Sequence, residues 1–138
     1  MSVTRRQFGG LLGASIGSIG LRGYAAQGKE NVHFSHGVAS GDPLQNRVIL
    51  WTRVIPGDLL PRRVNVEWEV STNDQFTEVV RKGRAFADPS ADFTVKVDAQ
   101  GLKPSHKYFY RFVAEDVSSC IGITKTLPKG NVNQFRIG

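Results

Sequence analysis

Apolar and polar positions alternate along most of this chain with a period of two, the repeat of a β-strand that buries one face. Val64, Val66, Trp68 and Val70 interleave with Asn65, Glu67 and Glu69, which predicts a strand with an acidic outer face. Phe93, Val95 and Val97 interleave with Thr94, Lys96 and Asp98, and Tyr108, Tyr110 and Phe112 with Phe109, Arg111 and Val113. Val48-Ile49-Leu50-Trp51-Thr52 is a short run of strand formers, apolar on both faces. Phe76 and Val79-Val80 lead into a strand over Lys82 to Ala87, and a last strand covers Cys120 to Thr126 and stops at Pro128. Pro56-Gly57-Asp58 and Asp88-Pro89-Ser90 mark turns. After residue 26 no segment repeats its apolar residues at the helical period. About six or seven short strands divided by turn residues predict an all-β fold, an antiparallel β-sandwich. Trp51 and Trp68, on neighbouring strands, are expected to fill its core.

The first residues follow a different rule. Thr4-Arg5-Arg6-Gln7-Phe8 sets two arginines before an apolar stretch, Gly9 to Leu21, that contains no acid. Arg22 and a small-residue site around Gly23, Ala25 and Ala26 follow. This is the layout of a cleavable twin-arginine export signal over residues 1–26, with Thr4, Arg5, Arg6 and Phe8 read by the twin-arginine translocase. Cleavage after Ala25 places Gly23 and Ala25 at the small-residue positions, whereas cleavage after Ala26 would place Tyr24 there. A spanning helix needs about 20 largely apolar residues. This run is shorter, and each of its glycines weakens a helix by roughly 0.8–1 kcal/mol. A stable membrane anchor is therefore not expected, and the remaining protein is expected in the periplasm or outside the cell.

Composition narrows the rest. Of the 138 residues, 40% are hydrophobic and 22% charged, ordinary for a soluble domain with a real core. The net charge is +6, but three arginines belong to the signal, and residues 27–138 hold 15 basic and 12 acidic side chains. So mild an excess, without a basic cluster interleaved with aromatics, argues against nucleic acid as a partner. The single cysteine, Cys120, excludes an internal disulfide and is expected as a small apolar strand residue.

Leu102-Lys103-Pro104-Ser105-His106-Lys107-Tyr108 runs into an aromatic strand. The Leu-x-Pro-x-x-x-Tyr spacing resembles the tyrosine corner of fibronectin type III and immunoglobulin-like sandwiches. Leu102, Pro104 and Tyr108 would take its parts. Chemistry is harder to find. A binuclear metallophosphatase site needs Asp-x-His, Gly-Asp-x-x-Asp/Asn and Gly-Asn-His pieces to bridge two cations and activate water. Only Gly41-Asp42-Pro43-Leu44-Gln45 imitates one of them, and it ends in Gln45. It is read as a turn. His33, His36 and His106 are read as surface and turn residues. No nucleophile triad and no phosphate loop has motif support. No catalytic and no metal-binding residue is therefore assigned.

Several segments in order resemble one family. They are Phe34-Ser35-His36-Gly37-Val38-Ala39-Ser40-Gly41-Asp42-Pro43, Val48 to Val54, Val66-Glu67-Trp68-Glu69-Val70, Asp92 to Asp98, and Gly101-Leu102-Lys103-Pro104 with Tyr108 to Phe112. Together they resemble the N-terminal domain of the alkaline phosphatase D (PhoD-like) family. The resemblance implies an exported metal-dependent phosphomonoesterase or phosphodiesterase whose larger catalytic domain, with iron and calcium, follows the sandwich. Residues 27–128 would then be the fibronectin-like domain, and residues 129–138 a linker and the start of a truncated metallophosphatase domain. On this reading the chain is a fragment, an accessory domain that is non-catalytic by itself and needs no cofactor of its own. The alternative is a free-standing exported module that binds carbohydrate or protein.

The apolar run Val48 to Trp51 adds one structural expectation. A one-sided sandwich strand should alternate, so a second apolar face calls for a cover. Either a loop of the same domain supplies it, or the His36-to-Pro43 loop (His36, Gly37, Asp42) with Val48 and Leu50 forms an interface to the catalytic domain.

Overall fold

The computed structural model describes residues 32–57 and 62–130, and the expected export signal, its cleavage site and the stretch 131–138 lie outside these. Eight strands form two antiparallel sheets. The first sheet has the order β1 (Val38–Gly41), β2 (Arg47–Arg53), β5 (Thr94–Gln100). The second has the order β4 (Val79–Ala87), β3 (Val64–Ser71), β6 (Lys107–Ala114), with β7 (Val117–Ser118) and β8 (Gly122–Lys125) both paired to β6. β4 lies against β5 at one side of the sandwich and β1 against β8 at the other. The sheet edges therefore shelter one another.

The alternating strands supply the core as their period requires. Val64, Val66 and Val70 of β3 and Tyr108, Tyr110 and Phe112 of β6 face Val48 and Leu50 of β2 and Val95 and Ala99 of β5. Each fully buried side chain of this size contributes about 1.5–3 kcal/mol. The expected strands are present with shifted ends: β4 begins three residues earlier than expected, at Val79, and β5 runs from Thr94 to Gln100, leaving Phe93 outside. β1 is an addition: its Val38-Ala39-Ser40-Gly41 is too small and too exposed to carry a periodic signal. The last strand, expected over Cys120 to Thr126, is corrected to the shorter β8, Gly122–Lys125, and the two-residue β7, Val117–Ser118, is a further addition.

Two expectations about burial are overturned. Trp51 is 41% exposed and stands on the outer face of β2. Cross-strand pairing explains it. Thr52, Leu50 and Val48 lie opposite Val95, Val97 and Ala99, so these share the inner face. Trp51 and Ile49 lie opposite Lys96 and Asp98, whose charges must face water. Trp68 does point inward, but only partly buried, with its indole lying over Gly83 of the edge strand β4. Cys120 is exposed in the interruption between β7 and β8 rather than buried in a strand.

At the corner, Leu102 and Tyr108 are buried, and the Lys103 N–H donates to the Tyr108 hydroxyl at 2.9 Å. Thr126 closes the same turn: its hydroxyl donates to the Lys103 carbonyl at 2.6 Å and accepts from the His106 N–H at 3.1 Å. The corner thus joins the entry of β6 to the chain leaving β8. Pro104, at the tip of the turn, is half-buried.

Candidate functional site

The segment His36 to Pro43 is not one loop. Gly37 turns the chain at a left-handed φ of 67°, β1 then runs from Val38 to Gly41, and Asp42 turns it again at φ 47°. Thr52, buried on β2, holds the first turn by donating to the Gly37 carbonyl at 2.8 Å. His36 is exposed; its ring meets the Ser35 hydroxyl at 2.8 Å and the Arg53 guanidinium at 3.3 Å. Asp42, at the far end of β1, lines a shallow groove with Pro43, Leu44, Arg47, Ile49 and Asp98. β1 separates His36 from Asp42: His36 precedes its first residue and Asp42 follows its last, and four extended residues span roughly 13 Å. The two cannot share a ligand.

His33 pairs through its backbone with Ile55, and His106 sits in the corner turn with its ring 5.9 Å from that of Tyr108. Among the described residues no group of three or more His, Cys, Asp or Glu side chains is placed to hold a metal ion. The donor set that iron and calcium would need is therefore not found in these residues, and we assign them no step of metal chemistry. Within the Asp42 groove, Asp98 accepts at Oδ2 from Arg47 at 3.0 Å and from Gln100 at 2.8 Å, while its buried Oδ1 has no hydrogen-bond partner among the described residues.

Titration marks two other places. The Asp88 carboxylate accepts from the Ser90 hydroxyl and N–H and from Arg63, which hold its pKa down at about 2. It caps the short 3-10 turn Pro89–Ala91, a structural task. Burial pushes the Tyr110 phenol above its ordinary value, against the opposing hydrogen bond from Ser40.

The interface expected on Val48 and Leu50 is corrected. Both side chains are buried, at 1% and 0% exposure, and both point into the core. The outward residues of this strand are Ile49 and Trp51. The signal was the doubly apolar run itself, but its parity depends on which strand pairs with β2.

Comparison with known proteins supplies what this geometry lacks. Residues 21–128 match the profile of the PhoD-like phosphatase N-terminal domain. Alkaline phosphatase D of Bacillus subtilis (strain 168) is 44% identical over 114 residues, covering 79% of this chain and 20% of the relative. The chain thus spans about a fifth of that protein's length. The solved structure of PhoD superposes with a TM-score of 0.69 at 44% identity, over 73% of this chain and 20% of that one. A fibronectin type III domain from the human KIAA0970 protein superposes with a TM-score of 0.53 at 17% identity, over 80% of this chain and 84% of that domain. This last likeness concerns the fold alone.

Proposed function

Because the chain belongs to the family of PhoD-like phosphatase N-terminal domains, we propose that it serves as the accessory sandwich of an exported alkaline phosphatase D-type phosphomonoesterase or phosphodiesterase. The carrying observation is the pairing of a match over residues 21–128 with coverage of only a fifth of the relative. The sandwich itself is non-catalytic. Its task is to pack on and position the metallophosphatase domain, to which the iron and calcium chemistry is assigned. Iron and calcium, when bound in that domain, would supply activation of the attacking nucleophile and offset the charge that develops on the phosphoryl group. Residues 1–26 deliver the whole through the twin-arginine translocase, a route suited to a protein folded around its metals before export.

Two experiments test this reading. Hydrolysis of chromogenic phosphomonoesters and phosphodiesters by the purified chain, with iron and calcium supplied, is expected to stay at the level of the buffer. Turnover that disappears on His36→Ala or Asp42→Ala would sink the assignment. A reporter that fluoresces only when folded before export, fused behind residues 1–26, is expected in the periplasm and is retained inside on Arg5→Lys with Arg6→Lys. A free-standing carbohydrate- or protein-binding module would instead bind its ligand without any following domain. The exposed Trp51 on the outer face of β2 is the side chain such a module would use.

A further inference from the structure

The outer face of the β1–β2–β5 sheet carries an apolar strip. Ile49 and Trp51 stand outward on β2, and Leu44, 43% exposed, extends the row into the groove it shares with Ile49. Opposite Trp51 and Ile49 on β1 lie Ala39 and Gly41, too small to cover an indole ring. Charged pairs, Arg47 with Asp98 and Arg53 with Asp92, flank the strip. Scattered apolar residues on a surface need no explanation, but a contiguous row does. An apolar centre anchored by a tryptophan and rimmed by charge has the anatomy of a protein–protein contact.

Two observations choose the occupant. The Leu127 N–H donates to the Leu44 carbonyl at 3.0 Å, so the chain passes the end of the strip as it leaves the sandwich. The relative of which this chain covers a fifth also holds about four times as much chain besides. We propose that Leu44, Ile49 and Trp51 form the surface on which the catalytic domain of a PhoD-like phosphatase docks. This rests on the function proposed above and replaces the buried Val48 and Leu50 as the contact. The occupant presents an apolar surface with room for the Trp51 ring. A second apolar pair, Ile121 and Ile123, lies at the edge of the other sheet and provides the internal comparison.

The test uses a full-length enzyme in which this chain replaces the matching N-terminal part of Bacillus subtilis alkaline phosphatase D. In a Cys120→Ser background, Trp51→Cys and Ile123→Cys each introduce one thiol, and maleimide labelling of that peptide is followed by mass spectrometry in the chimera and in the free chain. Labelling at Trp51→Cys is expected to slow at least tenfold in the chimera, while Ile123→Cys reacts equally fast in both. Leu44→Cys gives a second reading of the strip should Trp51→Cys disturb folding, and is expected to slow likewise. A phosphatase-active chimera whose strip thiols react as fast as in the free chain overturns the docking surface and leaves the accessory role standing. Slowing at Ile123→Cys instead moves the contact to the other sheet and also overturns it. A chimera without phosphatase activity, beside an active parent enzyme, overturns the accessory role and the docking surface together.

Discussion

Gly122, opposite Tyr110 on β8, leaves room for the aromatic ring. A Cβ there would lie 2.2 Å from the Tyr110 ring. Gly83 does the same for Trp68 at the opposite edge of the sheet: a Cβ would lie 2.7 Å from the indole. Each glycine lets an aromatic from a central strand cover an edge strand, a recognised way to stabilise glycine in a sheet. Gly122→Ala is therefore expected to destabilise the chain by about 1–3 kcal/mol, as overpacking does. Urea unfolding checks it, and pairing with Tyr110→Ala should recover part of the loss relative to Tyr110→Ala alone. Asp88 makes a pH prediction. Its folded pKa of about 2 lies below its unfolded value near 3.8, so its stabilisation is complete above about pH 4 and drains away as pH falls towards 2. Asp88→Asn should flatten the acid limb of a stability-versus-pH curve over that interval, lowering stability above about pH 4 and changing little near pH 2.

The strand that closes the sandwich is the element that composition described least well. Cys120-Ile121-Gly122-Ile123-Thr124-Lys125-Thr126 reads as one strand, yet only Gly122–Lys125 forms β8, and an unexpected β7 at Val117–Ser118 precedes it across a gap from Ser119 to Ile121. Ser119 bridges the gap: its hydroxyl accepts from the Phe112 N–H at 3.0 Å and donates to the Cys120 carbonyl at 2.8 Å, and its own N–H donates to the Phe112 carbonyl. A bulge of this kind twists and shortens an edge, which discourages pairing with another chain. Ser119→Ala strands the buried Phe112 N–H, and a loss of about 1–3 kcal/mol is expected, with faster hydrogen exchange at the Phe112 amide. The tyrosine corner, by contrast, was visible in the spacing of Leu102, Pro104 and Tyr108, because one turn sets all three positions. Tyr108→Phe removes the acceptor for the Lys103 N–H and is expected to cost about 0.5–1.5 kcal/mol in chemical denaturation.

At the scale of the whole molecule the two faces of β2 separate stability from association. Leu50 lies wholly in the core, and Leu50→Ala should cost about 2–5 kcal/mol in the isolated chain. Trp51→Lys, on the other face, should move stability by about 0.5 kcal/mol or less, as surface changes do. Thermal unfolding of the two variants side by side distinguishes them. Strand content, the two-layer sandwich and the corner were all legible in the sequence, because period-two alternation and turn spacing act locally. What the sequence left open was the parity of Val48-Ile49-Leu50-Trp51. Apolar on both sides, that run is equally at home with either face inward, and nothing local breaks the tie. The tie is broken at a distance, where β5 comes to lie beside β2 and brings Lys96 and Asp98 opposite Trp51 and Ile49. Two charges that cannot enter the core send the tryptophan outward with them, so the tertiary pairing alone decided which side of the strand builds the domain and which is left to meet another.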